Sequence, residues 1–583
     1  MTRRDRVMLL PVLGLVVLLN ARSLGAGLLA DDLLHRSFIL GQLDGAPGPF
    51  WNMFDAGGRG GPSQIGVAMF SGALPWWTNP ELKIAFFRPL AVICQYIDYL
   101  LWPNTPWLMH LHNLLWYLGT VVLVAGIYLR VAEPRRVAVI ALLLYAIDEA
   151  HAGGLLWIAG RNTLMTAFFV ALALWLHLRG RAGELRHAPV LAALALLLAL
   201  ASSEGGITLW GYLLGHALFV DRAPWRERLR ALAPMLAVSL IFRGVYRGLN
   251  YGVTGSGIYR DPTADPIGFV RVLPERLPLI LVEQFTLPQG LPAFVPPALH
   301  GPLLFAATGL LLLLGVWLCV AGRRRPVLWF WASGMLAGVL SVCAIGVMPR
   351  LLFVSAIGAC ALLAELIDAA YRALRARAPL ARRLGLAALG AIVLFIHGPL
   401  ALALAPLELD RALHMAGYIR RASRGLPPDR IAGRALLVLN SPNYLVSMME
   451  LWHRPEGKGR VVATYLFGVT IDSVSVERTA SNALELSTRD GYLREATSWL
   501  VRAPELPFAV GYRVQTGAIT VIVLEVTDDG RPRRVRLQGP LESPDFVWAA
   551  WTLGRYQEVR LPAVGERVEL PAFDPGPEAQ GEL

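Results

Sequence analysis

Charge is what this 583-residue chain has little of: 16% of its residues are Asp, Glu, Lys or Arg, against about 25% in soluble proteins. That deficit excludes an ordinary water-soluble chain of this length. Cysteine is scarcer still. Cys94, Cys319, Cys343 and Cys360 all lie in or beside apolar stretches, and none forms a C-x-x-C pair. A disulfide framework is therefore not expected, and the four read as small buried hydrophobes. An A-x-A-like cleavage site is also missing after the first apolar run, so that run is expected to stay as a signal anchor. What the chain has in excess is apolar: 55% of residues are hydrophobic and the mean hydropathy is +0.50. These residues gather in blocks of the length that crosses a bilayer, roughly 17–25 residues. The net charge of +12 does not indicate nucleic acid, because the arginines fall in short clusters between apolar blocks.

Eleven spans are expected, roughly at 7–28, 108–129, 137–150, 163–178, 188–203, 207–220, 231–247, 300–321, 327–347, 351–371 and 385–405. The apolar segment 274–291 holds Glu275, Arg276, Glu283 and three prolines, and reads as a re-entrant or interfacial piece. Arginine clusters before span 1 and after spans 2, 4, 6, 8 and 10 place the N-terminus in the cytoplasm. A long first loop (29–107), the loop near 248–299 and everything after 405 then lie outside. The tail changes character. "ITVIVLEVTDDGRPRRVRLQG" reads as a hairpin turning at Asp529–Gly530, with alternating runs on either side. The expected organisation is an all-α polytopic membrane domain (1–405), a linker (406–430), a β-rich extracytoplasmic domain (431–573) and a disordered end (574–583).

Ionisable groups at membrane depth are costly and usually face a functional cavity. In this topology Asp31, Asp32, Asp98, His110, His112, Asp148, Glu149, His151, Arg161, Glu204, Arg243, Arg247 and Arg350 all fall at the outer ends of spans. A single outward-facing polar cavity accounts for that one-sidedness. The adjacent Asp31 and Asp32 suit two roles there: a general base on an acceptor group, or ligands of a divalent cation. Arg243, Arg247 and Arg350 suit a phosphate-bearing head group. The plainer readings are a solvated loop pair for the aspartates and snorkelling for the arginines. The histidines lack metal-ligand spacing. Trp76 and Trp77 in "LPWWTNP" read as interfacial aromatics, with sugar stacking as the sharper alternative.

The order of short motifs resembles the GT-C class of integral-membrane glycosyltransferases. Over 86–210 the match is to the protein O-mannosyltransferases that carry tetratricopeptide repeats, and to their bacterial relatives. "FFRPLAVICQYIDYLLWPNTPWLMHLHNLLWYL" carries that pattern through Arg88, Pro89, Leu90, Asp98, Trp102, His110, Leu111, Asn113, Leu114 and Leu115. "HAGGLLWIAGRNTLM" carries it through His151, Trp157, Ile158, Gly160 and Arg161, and "LALASSEGGITLW" through Ser202 and Glu204. There are departures. Ser203 stands where the family usually has lysine, Gly153 where it has glutamate, and Asp148–Glu149 where it has His-Pro. No tetratricopeptide repeats follow the membrane domain. The resemblance implies an inverting transfer from a polyprenyl-phosphate-linked sugar, mannose in the nearest relatives, to an extracytoplasmic protein or glycolipid. Asp31 or Asp32 would deprotonate the acceptor, and Arg243, Arg247 or Arg350 would hold the lipid phosphate. Arg88, Asp98, His110, Asp148, Glu149, His151, Arg161 and Glu204 would line the cavity. It implies no certain cofactor, a divalent cation being one option, and a place in the cell's inner membrane.

Two other classes compete. A transporter or flippase of lipid-linked substrates would show paired halves and midplane charge, and no internal repeat is visible. A non-catalytic anchor for the β-rich tail accounts for the tail but not for the acidic and arginine residues.

Overall fold

The computed structural model describes residues 3–29, 31–40, 52–288, 291–375, 379–422, 425–447 and 461–573. The expected disordered end at 574–583 lies outside these. In chain order the helices are α1 (Arg3–Asn20), α2 (Asp32–Ile39), α3 (Pro62–Phe70), α4 (Pro89–Leu101), α5 (Pro106–Val131), α6 (Arg135–Ala146), α7 (Ala150–Leu156), α8 (Arg161–Arg181) and α9 (Ala188–Ser202). Next come α10 (Leu209–Phe219), α11 (Trp225–Gly248), α12 (Pro266–Phe285), α13 (His300–Gly322), α14 (Val327–Cys343), α15 (Phe353–Arg375), α16 (Leu380–Phe395) and α17 (Ala401–Ala422). The chain divides into two compact units.

The first unit comprises 1–32, 86–250 and 266–413. Among the described residues, seven helices are long and apolar enough to cross a membrane, or eight if the bent pair α6–α7 is one span. This is a multi-pass membrane protein. α15 lies at the centre, with 89% of its apolar window buried, whereas the window of α13 is 11% buried and presents its leucines outward. Small residues let the neighbours of α15 approach. A Cβ on Gly358 would come within 2.3 Å of the Trp331 carbonyl oxygen, and one on Gly334 within 2.1 Å of the Tyr212 ring. Tyr212 then spans the gap, its hydroxyl donating to Val354 O (2.7 Å) and accepting from the Gly358 N–H (2.8 Å).

Two of the eleven expected spans, 207–220 and 327–347, hold helices shorter than anticipated: α10 has 11 residues and α14 has 17. The expected linker also begins inside a helix, because α16 runs through a π-helical turn at Ile396–Leu400 into α17. Many inter-span arginines hold acids. Arg135 pairs with Asp5, Arg136 with Asp368 and Arg325 with Glu365 across neighbouring helices, Arg181 bonds Asp221 just past α10 at 2.7 Å, and Arg372 bonds Asp368 one turn earlier on α15 at 2.8 Å.

The second unit comprises 33–85, 251–265 and 414–583. Its strands are β1 (Asp55–Gly57), β2 (Lys83–Ala85), β3 (Gly252–Thr254), β4 (Ala435–Val438), β5 (Ala463–Leu466), β6 (Val474–Ala480), β7 (Ala483–Ser487), β8 (Arg513–Thr516), β9 (Ile519–Val526), β10 (Pro532–Gln538), β11 (Phe546–Thr552), β12 (Arg555–Glu558) and β13 (Arg567–Leu570). They form sheets of order β1-β2-β3, β13-β6-β7-β10-β9-β8 and β12-β11-β4-β5. The β9–β10 hairpin turns at Asp529–Gly530, with Gly530 at φ +78°, as its sequence requires.

The first loop pairs with the second loop through β2–β3 and with the tail through several bonds. Trp76 Nε1 donates to Phe467 O (3.1 Å), Asn79 N to Val501 O (2.9 Å) and Gly257 N to Trp499 O (2.7 Å).

Trp76 and Trp77 are corrected by this unit. Neither sits at an interface or faces a sugar. Both are buried, Trp76 against Phe508 (5.6 Å between centroids) and Trp77 against Tyr444 (5.8 Å).

Candidate functional site

After α1 the chain turns at Ala21–Gly25 and again at Gly27, whose φ of +73° suits glycine. His110 Nε2 donates to the Gly27 carbonyl at 2.7 Å. Asp32 opens α2 and is fully buried. One carboxylate oxygen accepts from Leu29 N–H (2.9 Å), closing the turn, and the other from Ala159 N–H (2.6 Å). The Asp32 carbonyl accepts from Tyr99 Oη (2.9 Å). Burial pushes this carboxyl up to about 8, against the pull of the two backbone donors. Asp32 thus carries a proton near neutrality, and both its oxygens are occupied. It positions the loop. Its neighbour Asp31 is half-buried.

The Ala159 turn is fixed from below. Arg161, fully buried, pairs with the fully buried Asp98 and donates to Asn113 Oδ1 (2.6 Å) and Met109 O (2.9 Å). Asn113 Nδ2 in turn donates to Leu155 O (3.1 Å), and Gln95 Nε2 to Ala159 O (3.4 Å). Asp98, His110 and Arg161, expected to line a cavity, are fully buried and packed among their partners. The Asp98–Arg161 pair meets the cost of burying its two charges.

The remaining expected residues fall in separate places. Arg88 bridges Glu204 at 2.9 Å, and both keep some exposure. His151 stacks on Phe353 (4.3 Å, 9°) and donates from Nδ1 to Tyr117 Oη (2.9 Å), whose own proton goes to Tyr145 O (3.1 Å). With Asp148, Glu149 and Asn20 it lines a cavity of about 10 Å³, room for about one water. The Arg350 guanidinium lies 4.6 Å over the Trp157 ring, two residues before Ala159. Arg350 thus reaches the turn that holds Asp32. Arg243 and Arg247 lie near the C-terminal end of α11, the first half-buried and the second exposed.

Sequence reasoning passed over Tyr99 and Gln95 and read Cys94 as a small buried hydrophobe, where the structure has it half-buried. A signal was present: Gln95–Tyr99 and Cys94–Asp98 are spaced by four on α4 and so share a face. Among the described residues no three His, Cys, Asp or Glu side chains converge as metal ligands.

The titration of Asp32 gives a first prediction. An unfolded aspartate ionises near 4 and the folded one near 8. Its contribution is therefore full below about 4 and is lost as pH rises through about 8. The advantage in melting temperature of wild type over Asp32→Asn is expected to shrink across that window. An advantage that grows with pH contradicts it.

No family model matches this chain, and no curated protein matches it. Among solved structures it is similar to the oligosaccharyltransferase of Archaeoglobus fulgidus, determined with an acceptor peptide containing the NVT sequon tethered through a disulfide bond. The TM-score is 0.38 at 15% identity, over 78% of this chain and 64% of that one. The chain thus spans less than two thirds of that structure, and its own residues carry the functional reading.

Proposed function

We propose that this protein is an integral-membrane glycosyltransferase. It moves a sugar, with inversion, from a polyprenyl-phosphate-linked donor to an extracytoplasmic protein or glycolipid acceptor. One observation carries the reading: of two adjacent aspartates at the start of α2, Asp32 is fully buried and bonded by two backbone N–H groups, while Asp31 beside it is half-buried. Asp31 takes the acceptor proton. The acceptor atom attacks the anomeric carbon, the bond from that carbon to the phosphate oxygen breaks, and the polyprenyl phosphate leaves. Arg350, tied to the same turn through Trp157, meets the negative charge on the leaving group, with Arg243 and Arg247 as the outer pair. Arg88–Glu204 and His151 with Asp148 and Glu149 bound the cavity. Asp32 has no oxygen free for a cation, so no step is routed through one.

In this reading the N-terminus is cytoplasmic, eleven crossings are made in the inner membrane, and the site belongs to the membrane domain at 1–405. The β-rich domain 431–573 lies outside, with the acceptor. The test uses the full chain in proteoliposomes with labelled polyprenyl-phosphate sugars and a membrane extract as acceptor. Label in an acid-stable product supports transfer. Label carried across the bilayer with no product overturns it in favour of a transporter.

A further inference from the structure

Beneath the aspartate loop, the scaffold contains a constellation that sugar transfer does not use. Cys94 on α4 lies 3.8 Å from His112 Nε2 on α5. The other ring nitrogen, Nδ1, donates to Asp98 at 3.0 Å to one oxygen and 3.2 Å to the other. The order thiol–imidazole–carboxylate is that of an activated nucleophile, with the carboxylate fixing the tautomer that leaves Nε2 free to take the thiol proton. A fixed cation completes it: Arg161 Nη1 stands 3.6 Å from the sulfur. Burial works against ionisation of the thiol, but the His112 hydrogen bond and the Arg161 charge outweigh it and hold Cys94 below the ordinary cysteine value.

The surroundings select the reagent. α4 has 13 residues, about 20 Å, too short to cross a hydrocarbon core of about 30 Å. Its exposed residues are apolar: Ile93, Ile97, Leu100 and Leu101. Ile97 and Leu101 lie three and seven positions after Cys94, on the same face. Leu115, three positions after His112, is exposed as well. Cys94 and His112 are both half-buried at the edge of this apolar face, so an approaching electrophile has to be compatible with lipid. All four cysteines are free thiols, which leaves Cys94 without a resolving partner for disulfide chemistry.

We propose that Cys94, His112 and Asp98 form a nucleophilic thiol site at the lipid boundary, where Cys94 accepts a long acyl chain from a thioester donor. His112 Nε2 takes the Cys94 proton. The sulfur bonds to the thioester carbonyl carbon, the bond from that carbon to the donor sulfur breaks, and the donor leaves as a thiol with the proton from His112. The product is an S-acyl cysteine on α4, with its chain lying along the apolar face.

The test uses the full chain in nanodiscs with an alkyne-tagged palmitoyl thioester and reads label on each cysteine by mass spectrometry. Cys319, exposed on α13 and without a histidine bond among the described residues, is the internal reference. Label on Cys94 is expected at least tenfold faster than on Cys319, released by hydroxylamine, and slowed tenfold or more by His112→Gln. Labelling of Cys94 no faster than Cys319, or unchanged by His112→Gln, overturns the proposal. If that variant does not fold, the pH dependence of wild-type alkylation by a lipid-soluble maleimide decides. Cys94 is expected to reach half its plateau rate at a lower pH than Cys319, and coincident curves overturn the site.

Discussion

Replacing Asp31 by asparagine is expected to lower the rate of sugar transfer by about 10²–10⁴-fold, the usual worth of a positioned general base, and to cost less stability than Asp32→Asn does. The asparagine keeps the shape and loses the proton acceptor, so the loss falls on kcat rather than on KM for the lipid donor. Asp32→Asn behaves differently. An amide nitrogen placed against either the Leu29 or the Ala159 N–H sets donor against donor inside a buried turn. That costs about 1–3 kcal/mol of stability. Initial rates and thermal melts of both variants separate the two roles. Full activity in Asp31→Asn, or a melt as depressed as that of Asp32→Asn, contradicts the assignment.

The largest effect on folding is expected at Arg161. Arg161→Ala strands the fully buried Asp98 with only the His112 bond, and removes the donors to Asn113 and Met109. Breaking a buried pair in this way costs about 3–5 kcal/mol. Arg161→Lys recovers little, because one ammonium cannot serve a carboxylate, an amide oxygen and a backbone carbonyl placed around a planar fork. Removing the stranded charge as well, in Arg161→Ala with Asp98→Asn, is expected to restore part of the loss. Fluorescence-detected gel filtration of detergent extracts after heating gives the comparison. A single variant as stable as wild type contradicts the scaffold role.

Much of this was readable in advance. Long apolar runs and the arginines between them give a multi-pass chain, and alternation with Asp529–Gly530 gives the hairpin, because both signals are local. The lengths of α10 and α14 were not legible, since a run that packs against protein and a run that faces lipid are apolar alike. The burial of Trp76 was not legible, because its partner Phe467 is 391 residues away. Nor was the difference between Asp31 and Asp32. Adjacent identical residues diverge only when the turn at Ala159, set by Arg161, arrives to claim one of them. The motifs containing Asp98, His110 and Arg161 gave no sign of how deeply these side chains pack, because their burial depends on partners on other helices.

The most direct test of the central claim is the stoichiometry of leaving-group release. The purified full chain, in nanodiscs with acceptor extract, would be given polyprenyl-phosphate sugars, and free polyprenyl phosphate and glycosylated product would be counted together. One polyprenyl phosphate released per sugar moved, with both lost in Asp31→Asn, is the result expected. No release from any donor by a folded protein, or product formed without it, would contradict the account.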